Sequence, residues 1–439
     1  MKNLIFLWMA CSAAAFGADA RRITLEEAIA LARKQNAGLA AARFRVDQNA
    51  HHARAARADY FPRLTNEANL SQVVDMQRIE IPRGALGVYS ATGPIPAVPL
   101  TLYQGGTGLF YTYTTLGQPL TQMFRIREGY RVARADTKQS EAELRKAEQD
   151  VSYGVSQLYF GLLIGEKQRA AAERRIAAAQ EKLRESRDAV TAGAVLEVAA
   201  IGSRAGVLES RHALLAVEDQ MADLRMELNE VLGLPLDTRL ELVQPEAAEL
   251  TAVPLEEFTK AALASNPEVG AAEALVEKAH AGVRAARAEY IPDLSAFGRH
   301  IYQSSVPFLA RNNGMFGFSL NWNVFDFGKR HETVAERQAG LAAAEANLRR
   351  LREHALVDVE KSYRKLERAR QMIEVAREAL ALRRESERIA NDQFSLGVIP
   401  PASFEESRAA RARAEADALQ AELGYRLARA ELDRAAGRL

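Results

Sequence analysis

Hydrophobic residues recur with a helical period over two long spans of this chain. No proline occurs between Leu120 and Leu234 or between Phe308 and Ile399. Within each span, apolar side chains step alternately by three and four residues, which is the pattern of helices packed as in coiled coils. The clearest stripes are Leu214, Val217, Met221, Leu224, Leu228 and Val231 in the first span, and Met372, Val375, Ala379, Leu382, Ser386 and Ile389 in the second.

Each span is interrupted once, at Thr191–Leu196 and at Ser395–Ala402, where glycine and proline indicate a tight turn. The long helices are therefore predicted at Gln122–Ala192 and Lys329–Phe394, and each is on the order of 100 Å long at about 1.5 Å per residue. Helices of about half that length flank them. The predicted shorter helices are Val198–Gly233 and Ala402–Gly437 after the turns, and Leu25–Ala58 and Leu255–Ala288 before the long helices.

Between each leading helix and the long helix that follows it, the period changes to two. In the clearest segment, apolar residues alternate with small or polar ones. Alternating strands of about ten residues are typical of a transmembrane β-barrel; a soluble hairpin with one face on a core is the other interpretation. The export signal described below, and the lack of any other apolar segment to cover the apolar face of these strands, favour contact of that face with lipid. The predicted strands are Pro62–Val74, Gly106–Gln118, Pro292–Ser304 and Gly314–Val324, with Phe316, Phe318, Leu320, Trp322 and Val324 on one face of the last.

The chain repeats itself. Arg54–Leu64 reads RAARADYFPRL and Arg284–Leu294 reads RAARAEYIPDL, at an offset of 230 residues, and the later parts match at an offset of 204. A unit of this length is too long for a solenoid repeat and indicates two copies of one structural module. The predicted organisation is a first repeat over 21–233, a linker over 234–254 and a second repeat over 255–439, with sheet segments at about 62–118 and 292–324.

The helix-to-strand junctions carry proline and aromatic residues. Pro62 and Pro292 occupy equivalent places, where proline ends a helix and favours extended backbone before it. Tyr60, Tyr290 and Trp322 lie near the same level, and such aromatic residues favour a membrane–water boundary. Structural packing would also account for them.

The first residues have the features of a secretory signal peptide over 1–20. Lys2 is followed by an apolar stretch, and Ala18-Asp19-Ala20 is a small-residue cleavage site. Cys11 is the single cysteine, so no disulfide is expected, and its context argues against lipidation without deciding it. An exported chain without an apolar helix long enough to span a bilayer is periplasmic, secreted or an outer-membrane barrel.

Charge and motifs exclude several functions. The 58 basic and 57 acidic residues are interspersed, which argues against nucleic acid as a partner. His51 and His52 are adjacent, so their rings point in different directions around a helix and do not form a metal site. The sequence contains no motif of a catalytic, metal or cofactor site, and none is expected.

In this order, the elements resemble the TolC family of outer-membrane efflux and secretion channels. The resemblance covers nearly all of Leu25–Gly437 and implies a mainly α-helical fold with a small β part. It further implies a homotrimer in outer-membrane lipid of a Gram-negative bacterium, in which each protomer adds four strands to a 12-stranded barrel and its helices to a periplasmic tunnel. The residues that carry it are Arg54–Leu64, Arg284–Leu294, Gln118-Pro119-Leu120, Asn323–Gly328, Tyr159, Tyr363, Gly193, Gly397, Leu228–Gly233 and Leu432–Gly437.

The resemblance also assigns roles to the turns between the helices. Their residues would contact a periplasmic adaptor that connects to an inner-membrane transporter, and acidic residues after the turns would form a gate. Rings of acids select cations, although acids in a first helical turn are also favoured by the helix dipole alone. The contact candidates are Gly193, Ala194, Val195, Gly397, Val398 and Ile399, and the gate candidates are Glu197, Glu405 and Glu406.

One departure from the family pattern stands at a strand-to-helix corner. The first repeat has Thr121-Gln122-Met123 where the family has Asp-Gly-Gly, so this corner is expected to differ from that of the second repeat. Taken together, the sequence predicts a passive exit duct of a tripartite efflux or type I secretion system. A periplasmic coiled-coil adaptor or scaffold without a pore is the alternative, and an enzyme is a distant third.

Overall fold

The computed structural model describes residues 21–74, 78–103, 108–246, 250, 254–304 and 310–439. The predicted signal peptide, with Cys11, lies outside these ranges, as do parts of the loops between the strands. The protein is mainly helical with a small sheet part, as the pattern predicts. The helices are α1 Leu25–Gln35, α2 Ala37–Ala58, α3 Met123–Thr191, α4 Glu197–Leu232, α5 Leu255–Ser265, α6 Pro267–Ala288, α7 Lys329–Ser395 and α8 Pro401–Ala435.

The strands are short outside the predicted segments. They are β1 Arg21–Ile23, β2 Arg63–Gln72, β3 Arg78–Ile81, β4 Val88–Tyr89, β5 Gly93–Pro94, β6 Leu100–Tyr103, β7 Gly108–Pro119, β8 Leu240–Leu242, β9 Asp293–Gln303 and β10 Asn312–Asn321. The four predicted strands correspond to β2, β7, β9 and β10, and the predicted long helices to α3 and α7.

Each leading helix is two helices, which corrects the prediction of one continuous helix. The breaks fall at Asn36 and Asn266, whose ψ angles of 122° and 123° are extended. The Oδ1 of Asn36 accepts a hydrogen bond from the backbone N–H of Leu39 at 3.1 Å, and that of Asn266 accepts from Glu268 at 2.8 Å. Each asparagine is therefore the N-cap of the second helix, a position this residue type favours.

Contacts divide the chain into two units that do not coincide with the sequence repeats. The helical unit contains the residues as far as Val46 with Gln139–Glu273 and Asn347–Leu439, and the sheet unit contains Asp47–Lys138 and Ala274–Ala346. Each unit therefore contains parts of both repeats.

The helical unit has two apolar clusters, the first built from the first repeat together with Leu419 and Leu423 of α8, and the second from buried residues of the second repeat alone. Tyr159 is fully buried in the first, where its hydroxyl lies 3.0 Å from the carbonyl oxygen of Ile23 and 2.6 Å from that of Val243. This contact holds α3 against the parallel pair of β1 and β8. Phe258 and Leu432 are fully buried in the second cluster.

The sheet unit contains a four-stranded antiparallel sheet in the order β10-β9-β7-β2. The pairing of β7 with β9 joins the hairpins of the two repeats, with Thr115 opposite Arg299. Two short antiparallel pairs, β3 with β6 and β4 with β5, extend the first hairpin where the alternation predicts only a loop. Among the described strands, β2 and β10 each have one partner, so both edges of the sheet are open.

Candidate functional site

The two faces of the four-stranded sheet differ in polarity. Residues opposite one another in antiparallel strands lie on the same face, so the register defines each face across all four strands. One face, here called the apolar face, includes Phe316, Phe318 and Leu320 of β10, which are 94%, 73% and 65% exposed. Across the other strands it continues through Leu64, Leu70, Phe110, Leu116, Leu294 and Ala296.

The opposite face, here called the polar face, carries most of the charged residues of the strands. Arg63, Thr65, Glu67, Asn69 and Ser71 follow one another along β2 on this side. The guanidinium of Arg299 lies 5.8 Å from the ring of Tyr113 and 5.9 Å from that of Phe297, and its Nε donates to the hydroxyl of Thr115 at 3.0 Å. Apolar side chains predominate on the first face, where Asn66 donates hydrogen bonds to the hydroxyls of Thr112 and Thr114, and the second face carries Arg63, Glu67 and Arg299. This difference suits a wall between lipid and water.

The predicted junction residues lie where helices meet strands. The carbonyl oxygen of Tyr60 accepts a hydrogen bond from the side-chain amide of Gln118 at 3.1 Å, and Pro62 directly precedes β2. The ring of Tyr290 lies 5.1 Å from the guanidinium of Arg330. Trp322 is 53% exposed and lies just after β10, which ends at Asn321, three residues before the predicted end of the strand.

The two strand-to-helix corners differ, as the sequence predicts. In the first, the hydroxyl of Thr121 donates to the carbonyl oxygen of Pro292 at 2.6 Å and accepts from the backbone N–H of Leu294 at 2.7 Å. In the second, Phe327 has a φ of 53° and Gly328 a φ of 87°, both in the left-handed region. Asp326 holds this corner, since its carboxylate accepts from the Nε of Arg330 at 2.5 Å.

The turns after α3 and α7 share one hydrogen-bonding pattern. Gly193 and Gly397 both have a φ of 72°, which glycine adopts without steric cost. Around them, Ala194 donates from its backbone N–H to Ala189 at 2.9 Å, and Val398 donates to Gln393 at 2.8 Å. These are Schellman motifs, which end a helix in a defined direction. The equivalence of the turns follows from the repeat.

Apolar side chains are exposed at both turns. Leu196 is 79% exposed and Leu396 is 78% exposed, and Val195 and Val398 are also exposed. Ala194 is exposed as well, whereas Ile399 is half-buried. Five of the six predicted contact residues are therefore open to solvent in the single chain.

The three predicted gate acids have different surroundings. Glu405 pairs with Arg408 at 2.7 Å within α8, and its side chain is only 17% exposed. Glu406 lies 3.5 Å from the Nζ of Lys182 on α3. Glu197 is exposed at the start of α4 and has no ion pair among the residues that the structure describes. The structure therefore separates these acids and does not gather them within one chain.

A fourth acid at this end was not identified from the sequence. The carboxylate of Glu185, on α3, accepts a hydrogen bond from the backbone N–H of Ala402 at 2.8 Å. Pro400, the N-cap of α8, provides no side-chain hydrogen bond, so Glu185 supplies the missing cap. Because the two residues are far apart in sequence, no local pattern indicates the contact.

The predicted seam of α7 is exposed in the single chain, whereas part of the predicted seam of α4 is buried. In α4, Met221 and Leu228 of the first stripe are buried. In α7, by contrast, Met372, Val375 and Leu382 are more than 60% exposed because α8 covers the neighbouring face, where Ile373 is 1% exposed. A further exposed apolar stripe lies on α4 and consists of Val198, Ile201, Leu208 and Leu215.

No described helix is long and apolar enough to cross a membrane. The described residues also include no cluster of three or more histidine, cysteine or acidic side chains that could hold a metal ion. His51 and His52 are both exposed on α2.

Comparison with known proteins gives a family and a set of similar folds. The model of the outer membrane efflux protein family matches residues 28–234 and 259–438. No sequence among the curated proteins matches the chain. Because the solved structures reported next are less than one-fifth identical to the chain, their likeness establishes the fold alone.

Three solved structures illustrate that likeness. The Campylobacter jejuni CmeC outer membrane channel is 17% identical with a TM-score of 0.77, over 94% of this chain and 85% of that one. The outer membrane protein VceC from Vibrio cholerae is 16% identical with a TM-score of 0.73, over 94% and 96%. The open state of the Neisseria gonorrhoeae MtrE outer membrane channel is 18% identical with a TM-score of 0.72, over 94% and 88%.

Proposed function

Because this chain belongs to the outer membrane efflux protein family, we propose that it is the exit duct of a tripartite efflux or type I secretion system. It is an outer-membrane protein, and the family assigns it to transport rather than to catalysis or to scaffolding without a pore. In the proposed assembly, an inner-membrane transporter and a periplasmic adaptor deliver substrates, which leave the cell passively through the duct. The main structural observation that supports this proposal is the sheet with one apolar and one polar face.

The open edges of that sheet support assembly from several copies. Unpaired N–H and C=O groups are not tolerated in lipid, so membrane-spanning strands form closed barrels. Four strands do not close a barrel; eight is the smallest number found in outer-membrane barrels. Pairing β2 of one copy with β10 of the next satisfies both edges. Three copies give the 12 strands that the family resemblance implies.

The exposed stripes of the helical unit support the same assembly. Val375 and Leu382 of α7, and Ile201 and Leu208 of α4, present apolar surface in helical register. Burying such surface contributes roughly 25 cal/mol per Å². The coiled-coil spacing of the α7 stripe suits a helix from a neighbouring copy. The proposed partner of the α7 stripe is therefore a second copy of this chain.

The turns after α3 and α7 are the proposed contact with the adaptor. Their backbone is fixed by the Schellman motifs, and their apolar side chains, Leu196 and Leu396 above all, are exposed. A rigid turn that presents apolar side chains suits a protein partner, because little conformational entropy is lost on binding.

Glu185, Lys182 and the acids of α8 are the proposed gate. The contacts of Glu185 with Ala402 and of Lys182 with Glu406 join α3 to α8. Breaking them would free the start of α8 to move, and a ring of acids in the trimer would favour cations. Glu197 and Glu405 belong to the same proposal as further ring-forming acids.

The first experiment is planar-bilayer recording on the purified mature protein, combined with chemical crosslinking. We expect a trimer that conducts ions. Leu382→Glu places a charge in the α7 stripe and is expected to reduce crosslinked trimer, whereas Arg383→Glu on the adjoining solvent-exposed position serves as the control. A stable water-soluble monomer without conductance would contradict the proposal.

A further inference from the structure

A basic groove lies between α3 and α6 in the sheet unit, apart from the sheet and the turns. Its cavity of about 460 Å³ is lined by Arg131, Arg134, Lys138, Glu277, His280 and Arg284. Four of these six side chains are permanent cations and one is a carboxylate. The side chains of Arg131, Lys138 and Arg284 are 48%, 49% and 45% exposed, so their charged ends are open to solvent.

A buried carboxylate holds two of the groove arginines in place. The side chain of Glu128 is 2% exposed, and its oxygens accept from Arg131 Nη1 at 2.8 Å and from Arg284 Nε at 2.7 Å. Arg127 adds a third contact at 3.2 Å. Each guanidinium has five N–H donors, so most of the donors of Arg131 and Arg284 remain free after these bonds. Glu128 therefore orients the arginines without neutralising them.

Arg134 adds a cation that no described carboxylate pairs. Its guanidinium lies 6.0 Å from the ring of Tyr130 on the same helix. Lys138, by contrast, is 2.6 Å from Glu277. Even with Glu128 counted, the groove keeps a surplus of two positive charges. This surplus suits a dianion better than a single carboxylate.

The cations of α3 are not part of the repeated sequence pattern. At the offset of 204, α7 has glutamate at the position of Glu128 but no basic residue at the positions of the α3 cations. The residues equivalent to Glu128, Arg131, Arg134 and Lys138 are Glu332, Ala335, Gln338 and Ala342. Because α3 belongs to the first repeat and α6 to the second, the groove combines side chains of both repeats, and its three cations from α3 have no counterpart on α7.

We infer that this groove is a binding site for a phosphate-bearing anion. Paired guanidinium groups match the geometry of phosphate oxygens and bind them in bidentate fashion. The helices that line the groove adjoin β7 and β9 in sequence, the two middle strands, and not β2 and β10, through which the copies are proposed to pair. The phosphate could belong to a lipid headgroup or to a soluble compound.

Calorimetric titration of the detergent-solubilised, full-length mature protein with inorganic pyrophosphate tests the site, with chloride at matched ionic strength as reference. We expect saturable binding of one pyrophosphate per protomer. Arg134→Gln is expected to weaken binding by about tenfold, the loss of one charge-assisted hydrogen bond. This substitution leaves the contacts of Glu128 intact, so misfolding does not obscure the result. Arg131→Gln is the second test variant.

Arg175→Gln removes an exposed arginine of α3 outside the groove and is expected to bind as the unsubstituted protein does. Native mass spectrometry of the same preparations separates the two sources. Copurified phosphatidylglycerol that pyrophosphate displaces identifies a lipid headgroup, and saturable pyrophosphate binding without retained lipid identifies a soluble phosphate compound. Absence of saturable binding, or equal binding by Arg134→Gln and Arg175→Gln, would overturn the inference.

Discussion

Asn36 and Asn266 occupy equivalent places in the two repeats and make the same contact. The Nδ2 of Asn36 donates to the carbonyl oxygen of Val231 at 3.1 Å, and that of Asn266 donates to the carbonyl oxygen of Ala435 at 3.1 Å. Val231 and Ala435 are themselves 204 residues apart, the offset of the sequence repeat. Each asparagine thus caps one helix and also binds the end of another, so one side chain fixes a three-helix junction in each repeat.

Replacing either asparagine with alanine is therefore expected to destabilise the protein. Loss of an N-cap costs about 0.5–2 kcal/mol, and loss of the second hydrogen bond costs about 0.5–1.5 kcal/mol. The thermal unfolding of Asn266→Ala, followed by circular dichroism, should shift to lower temperature. Asn347→Ala is the control, because among the described residues the side chain of Asn347 bonds to Arg350 within the same helix, α7. Equal unfolding temperatures for the two variants would refute the proposed role.

Alanine should destabilise the protein more at Gly437, which follows the end of α8, than at Gly397, which lies in the turn after α7. Gly437 and Gly397 have φ angles of 73° and 72°, so alanine at either costs about 1–2 kcal/mol of backbone strain. At Gly437 an added Cβ would also lie 2.5 Å from the carbonyl oxygen of Ser265, whereas nothing lies within 4 Å at Gly397. We expect Gly437→Ala to lower the unfolding temperature clearly more than Gly397→Ala. A larger decrease for Gly397→Ala would contradict this expectation and would show that the backbone at Ser265 and Asn266 moves aside for the added methyl group.

Glu128 should make stability depend on pH in the acid range. Burial raises the pKa of this carboxyl, but hydrogen bonds from Arg284 and Arg131 outweigh it, and the pKa is lowered from its ordinary 4.5. A carboxylate with a depressed pKa stabilises the folded state above its ordinary pKa, and this contribution is lost as the pH falls through the lower folded value. Stability from this group is thus fully present above pH 4.5 and declines below it.

Glu128→Gln measures that contribution. At neutral pH the substitution is expected to cost about 1–2 kcal/mol, since the arginines are half exposed and water screens them. The difference in unfolding temperature between the variant and the unsubstituted protein should shrink as the pH falls below 4.5. Glu173→Gln, whose carboxylate pairs with the exposed Arg169, is the control. A difference that stays constant with pH would contradict the assignment.

The features that a local pattern encodes were predicted from the sequence, and those that need distant partners were not. The long helices follow from proline-free spans with a helical period, and the main strands follow from alternation. The break at Asn36 escaped prediction because asparagine is tolerated in helices and its partner Val231 lies 195 residues away. The contact of Glu185 with Ala402 joins residues 217 apart, and that of Arg284 with Glu128 joins residues 156 apart.

The stripe on α7 shows a different limit. Its spacing predicts a packed seam, and spacing alone does not say whether the partner belongs to the same chain. Residues such as Val375 and Leu382 are exposed in the chain, whereas Met221 of the other stripe is 2% exposed. The family resemblance supplied what the pattern could not, since it implies that copies of the chain associate.

A charged side chain should destabilise the protein on the apolar face of the sheet but not on the polar face. Phe318 lies on the apolar face and is 73% exposed, and Ser319 lies next to it on the polar face. In a membrane, Phe318→Lys is expected to cost about 2–4 kcal/mol near the bilayer midplane, whereas Ser319→Lys faces water and costs little. The measurement is the fraction of each variant recovered from outer membranes as a heat-resistant trimer. Equal recovery would mean that the apolar face does not meet lipid.

The contact between α3 and α8 should control conductance if it belongs to the gate. Glu185→Ala removes the cap on Ala402, frees the start of α8 and is expected to raise the mean conductance of single channels in planar bilayers. The loss of a cap costs about 0.5–2 kcal/mol, which increases the open fraction up to about thirtyfold if the contact exists only in the closed state.

Glu173→Ala is the matched control for that experiment, because Glu173 is also on α3 and pairs with Arg169 on the same helix. Lys182→Ala, which breaks the contact with Glu406, should act in the same direction as Glu185→Ala but more weakly, since both partners are more than half exposed and exposed ion pairs contribute little. If Glu185→Ala still forms the trimer and its conductance is unchanged, the start of α8 is not part of the gate. The acids that follow Pro401 would then be first-turn residues that the helix dipole favours.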